Sequence, residues 1–134
     1  MLQPNEVRYG NWILVPTGKN KYEWDQVIEI SHHRVVTNLY SQNNSMGLPW
    51  NDVVGITLDE QVLKLCQFEM LSKNYWGHKG FKGFHLHCEI NFSLMQVYKA
   101  GSGDICEISF LHQLQNAYFV IAQEEIFINQ NYKA

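Results

Sequence analysis

From Ile108 through Gln123 the chain carries no Asp, Glu, Lys or Arg, and that absence limits what the C-terminal third can become. The stretch is too short to cross a bilayer and too poor in charge for an ordinary solvated helix. Placed on a helix from Leu111 to Gln123, at about 100° per residue, Leu111, Leu114, Ala117, Tyr118, Ile121 and Ala122 fall on one apolar arc that must face a core. The opposite side carries His112, Gln113, Gln115, Asn116 and Gln123, which are polar but uncharged. Two readings stay open: a central helix covered on both sides, or a partner-facing strip of His112, Asn116 and Phe119 at i, i+4, i+7. An uncharged helix back is a costly surface for a chain of 134 residues, and it predicts a homo-oligomer, most simply a twofold dimer.

Upstream the apolar period is two. Asn11–Val15, Glu23–Ile30, Arg34–Leu39 and Val53–Leu58 read as strands, separated by the turn Pro16–Asn20, by Ser31-His32-His33 and by the polar loop Tyr40–Leu48. Gly55 marks a bulge or a close approach. Asp59 is the expected N-cap of a helix Glu60–Phe68. Three further strands follow at His85–Phe92, Leu94–Lys99 and Ile105–Phe110, before the C-terminal helix. On the last, Cys106, Ile108 and Phe110 share one face. The expected fold is therefore α+β: a small SH3-like curved antiparallel sheet, then an antiparallel sheet packed on a C-terminal helix. With 46% hydrophobic residues the chain can bury one sizeable core. It is expected to be a single compact unit over 1–134, with a β-rich lobe at 7–68 and an α+β lobe at 69–134.

Net charge −3 and a pI near 6.0 remove the electrostatic footprint of a general nucleic-acid binder. Cys66, Cys88 and Cys106 are odd in number, with no CxxC pair, so they read as free thiols in a reducing compartment. The N-terminus has no cationic segment followed by an apolar run. These features predict a cytoplasmic protein with no membrane partner.

One segment has the composition of a ligand site. Tyr75-Trp76-Gly77-His78-Lys79-Gly80-Phe81-Lys82-Gly83-Phe84 interleaves aromatics, glycines and lysines. Aromatic faces stack on planar bases, glycine N–H groups approach anions, and lysines neutralise phosphate. Tyr75, Trp76, His78, Lys79, Phe81 and Lys82 are the candidate ligand-binding residues, although a hairpin with buried aromatics and solvated lysines fits the same composition. The spacing matches neither a P-loop nor a dinucleotide turn. His85 and His87 lie two apart on a strand and leave the same face, as strand-borne zinc ligands do. They are the basis of an alternative reading as a metal-dependent enzyme. No cysteine or carboxylate pair has the setting of a nucleophile or of an acid–base couple, and no cofactor is expected.

Three separated blocks carry a resemblance. Arg8-Tyr9-Gly10-Asn11-Trp12, Val53–Phe68 and Phe110–Ile126 resemble the R-x-G-N-[WY] opening, the I-x-L-[TD]-E-x-[IV]-L-x-K-[CL]-G-F block and the V-H-Q-L-Q-N-L-Y-F-x-L-T-G-E-E-L ending of a group of small, largely uncharacterised proteins of Bacteroidota and their phages and prophages. Gln67 stands where that group has Gly, and Ala122-Gln123 replaces its Thr-Gly. The resemblance implies a phage or mobile-element setting and no catalytic residue. Small phage proteins of this kind act by binding. The implied role is non-enzymatic counter-defence, by sequestering a small (cyclic) nucleotide signal or by blocking a host protein; the alternative is a nucleic-acid-associated accessory protein.

Overall fold

The computed structural model describes residues 2–41, 47–89, 94–99 and 101–129. The chain divides into two compact units, Met1–Ile56 with Phe110–Asn116, and Thr57–Ser109 with Ala117–Ala134.

In the first unit, β1 (Trp12–Gly18), β2 (Lys21–Ile30), β3 (Arg34–Thr37) and β4 (Leu48–Pro49) pair in sequence order as an antiparallel meander. Alternation turns Ile13 and Val15 of β1, Val27 of β2 and Val35 of β3 inward, and none of the four retains exposed surface. Each such side chain contributes about 1.5–3 kcal/mol of burial. The pairing of β2 with β3 slips between Val27 and Glu29, and a slip of this kind bends and twists a strand. The outcome is a curled half-barrel whose core also takes in Leu2, Val7, Leu48, Trp50 and Val53. Asp25 is buried on β2, and its carboxylate is compensated by the N–H groups of Gln26 at 2.9 Å and Leu39 at 2.8 Å. The second contact anchors a single helical turn, α1 (Asn38–Ser41).

Val53–Leu58 does not supply the fourth strand. It bridges Leu14 through Val54 without forming a strand, and Leu48–Pro49 takes the place beside β3. The reason lies at Gly55, where a Cβ would stand 2.7 Å from the Phe110 ring. The backbone there follows a close approach to an aromatic face rather than a ladder. Most of the expected Tyr40–Leu48 loop lies outside the described residues.

In the second unit Asp59 caps α2 (Glu60–Leu65), accepting the Val62 N–H at 2.9 Å. The helix ends in a Schellman closure: Gln67 N–H donates to Lys64 O at 3.0 Å and Phe68 N–H to Leu63 O at 3.0 Å, with Gln67 at φ 69°. Then β5 (Glu69–Ser72), β6 (Tyr75–Gly77), β7 (Phe84–Glu89), β8 (Leu94–Lys99) and β9 (Gly103–Ile108) form an antiparallel five-stranded meander. Trp76, Leu86, Cys88, Met95, Val97 and Ile108 are buried, whereas Tyr75, His85, His87, Gln96 and Tyr98 alternate with them and stay partly exposed. Between Val97 and Tyr98 the pairing with β9 slips past Ile105. Cys106 shares the face of Ile108, opposite Val97 and Met95, as expected, but on this edge strand Ile105, Cys106 and Glu107 are all exposed.

Helix α3 (Leu111–Ala122) contributes its first half to the first unit and its second half to the other. Leu111, Leu114, Tyr118 and Ala122 are buried, while Ala117 and Ile121 are half-buried. The arc read from the sequence is buried, and on the other side of the helix His112 and Gln115 are buried as well. Among the described residues no helix is long and apolar enough to cross a membrane.

Candidate functional site

The Tyr75–Phe84 segment sorts its residues by chemistry. Trp76 on β6 is 3% exposed and Phe81 fully buried, so both aromatics that could have stacked on a ligand belong to the core. Phe81 meets Phe68 edge-on at 5.4 Å and stacks on Tyr118 at 5.8 Å. The short 3-10 turn Lys79–Phe81 sits directly on Tyr118, and a Cβ on Gly80 would lie 1.9 Å from the tyrosine hydroxyl. Only glycine fits there. His78 caps the turn, its Nδ1 accepting the Gly80 N–H at 2.9 Å, which fixes the neutral tautomer with hydrogen on Nε2. The ring packs on Phe68 at 5.0 Å and Tyr118 at 4.9 Å. Burial and then Lys79 lower its pKa from the usual imidazole value, against opposing contributions from Glu124 and the Cys66 carbonyl.

With the aromatics turned inward, the cations remain outside. Lys79, Lys82, His78 and His85 line one groove of about 460 Å³, together with Phe84 and the carboxylate residue Glu69. That volume lies in the range of small-molecule sites. Of the six ligand-binding candidates the structure brings together His78, Lys79 and Lys82; Tyr75, Trp76 and Phe81 do not line the groove. Lys82 holds φ 39°, in the left-handed region, a conformation that costs a residue with a Cβ roughly 1–2 kcal/mol.

His85 and His87 part company. His85 lines the groove, whereas His87 Nδ1 sits 3.1 Å from Asp104 Oδ1 and its ring lies parallel to Tyr75 at 4.7 Å. Among the described residues no group of three or more His, Cys, Asp or Glu could hold a metal ion. Burial pushes the thiol of Cys66 up to about 12 and that of Cys88 up to about 11, so neither is a thiolate at neutral pH. The sequence reading missed Asp104 and Tyr98, because the pairings that set them beside His87 and Tyr75 are not local.

The strip of His112, Asn116 and Phe119 is not one surface. His112 is fully buried and stacks on Phe110 at 5.7 Å, while Phe119 is 38% exposed. Asn116 Oδ1 accepts from Arg8 Nε at 3.1 Å and from Asn11 Nδ2 at 3.0 Å, and its Nδ2 donates to Glu6 O at 3.1 Å. Beside it Gln115 Oε1 accepts the Trp12 N–H at 2.8 Å, and Gln115 Nε2 donates to Gly10 O at 3.3 Å. Arg8-Tyr9-Gly10-Asn11-Trp12 and the HQLQN segment 112–116 are thus two halves of one hydrogen-bonded clamp inside the first unit. Compared with known proteins, the chain matches no family model, no curated protein and no solved structure.

Proposed function

We propose that the protein is a non-enzymatic binding protein that holds a small phosphate-bearing ligand in the groove of its second unit. One observation carries the reading: a single turn buries Phe81 and delivers Lys79 and Lys82, one of them on strained backbone, to the wall of the same cleft. Two ammonium groups beside imidazoles suit a phosphate or pyrophosphate. In the phage setting that the resemblance implies, holding a nucleotide signal away from its receptor requires affinity alone, which is what such a groove supplies. A homo-oligomer belongs to the same proposal, and its apolar surface would be Val120 and Phe127, 70% and 65% exposed. A charge-assisted contact contributes about 1.5–3 kcal/mol. Calorimetric titration of pyrophosphate and of nucleotides should therefore show binding that weakens at least about a hundredfold in Lys79→Ala/Lys82→Ala. Equal binding by the double variant, at unchanged melting temperature, would refute the groove as the site.

A further inference from the structure

The groove accounts for the charged end of a ligand and leaves the rest of it unassigned. His85, on the groove wall, pairs with Tyr98 of β8; His87, two residues on and on the same face, pairs with Tyr75 of β6. Side chains two apart on a strand stand about 7 Å from one another, and neighbouring strands about 4.8 Å. Tyr98 and His87 therefore adjoin His85 on this face. Tyr75 and His87 lie parallel within 8° at 4.7 Å, and Tyr98 stands edge-on to both, at 5.3 Å and 6.2 Å. Asp104 grips His87 Nδ1 at 3.1 Å, so the imidazole is oriented from behind as well as from the side. All three rings are partly exposed, unlike Trp76 and Phe81. Rings already held by one another and by a carboxylate lose little side-chain freedom when a planar group settles on them.

We infer that Tyr98, braced edge-on by the parallel Tyr75–His87 pair and set opposite His85 of the groove wall, is a stacking platform for the base of a nucleotide whose phosphate lies at Lys79 and Lys82. The inference rests on the phosphate reading of the groove and extends it to a ligand class: nucleoside phosphates rather than sugar phosphates or inorganic anions. Recognition by stacking accepts any base and favours the larger purine faces. Asp104 is a positioning residue that acts through His87.

The test compares purine nucleoside monophosphates with ribose 5-phosphate, on wild type and on Tyr98→Leu. Wild type is expected to bind the nucleotides roughly tenfold or more tighter than the sugar phosphate, since that is the scale of one base stacked on an aromatic ring. Tyr98→Leu should erase that advantage and leave ribose 5-phosphate affinity unchanged. A second readout needs no substitution: base protons of the nucleotide should move upfield on binding wild type, under the ring currents of the platform. If nucleotide and ribose 5-phosphate bind wild type equally and the base protons stay in place, the platform is refuted while the phosphate groove survives. If neither ligand binds, the groove reading falls with it.

Discussion

At the scale of single residues, the imidazoles of His78 and His112 show how burial gives one residue type different work. His78 spends Nδ1 as a cap, which it can do only while neutral. His112 is fully buried at the start of α3, neither ring nitrogen has a hydrogen-bond partner among the described residues, and Glu6 Oε1 lies 4.0 Å from Nε2. Burial lowers its pKa, with Glu6 pulling the other way. A folded pKa below the free value, about 6.5 for imidazole, means that the unfolded chain takes up the proton first. The stability these neutral rings contribute is complete above about pH 6.5 and falls as the pH drops from there toward the lowered folded values. Thermal melting between about pH 7.5 and pH 5 should show that loss, and His112→Gln should flatten part of it; an equally steep profile in the variant would assign the dependence elsewhere. The sequence offered His112 for a partner-facing strip because helical phase alone does not reveal that a second segment, residues 6–12, already lies on that side of the helix.

Among the elements, those with local causes were legible. The phase of α3, the Asp59 cap of α2 and strands β1, β2, β7 and β8 follow from apolar period and capping chemistry. The hairpin of β5 and β6 was not legible, because Glu69–Ser72 is exposed along its whole length and shows no alternation. The helix ends add a finer point. Gln67 and Gln123, just past the ends of α2 and α3, both adopt left-handed φ, 69° and 61°. The helices close as glycine would let them and bear the strain of a side chain. Gln67→Gly should accordingly raise unfolding stability by about 0.5–1 kcal/mol in chemical denaturation. A loss of stability would mean that the Gln67 side chain contributes more than its backbone costs.

For the whole molecule, the fold class was within reach of the sequence and the site only in part. The composition of Tyr75–Phe84 allowed both a phosphate site and a packed hairpin, and the structure puts Trp76 and Phe81 inside and Lys79 and Lys82 on the groove, an arrangement compatible with either. What composition could not resolve was which aromatics stay outside, since that depends on strand register across β6, β7 and β8. The central claim, that the turn beyond β6 is an anion site, is tested most directly by following backbone amide resonances of the folded chain during titration with pyrophosphate. The account predicts progressive, saturable shifts concentrated at residues 79–85. Shifts concentrated instead near Pro49 and Trp50 in the first unit, or no saturable shift anywhere, would contradict it.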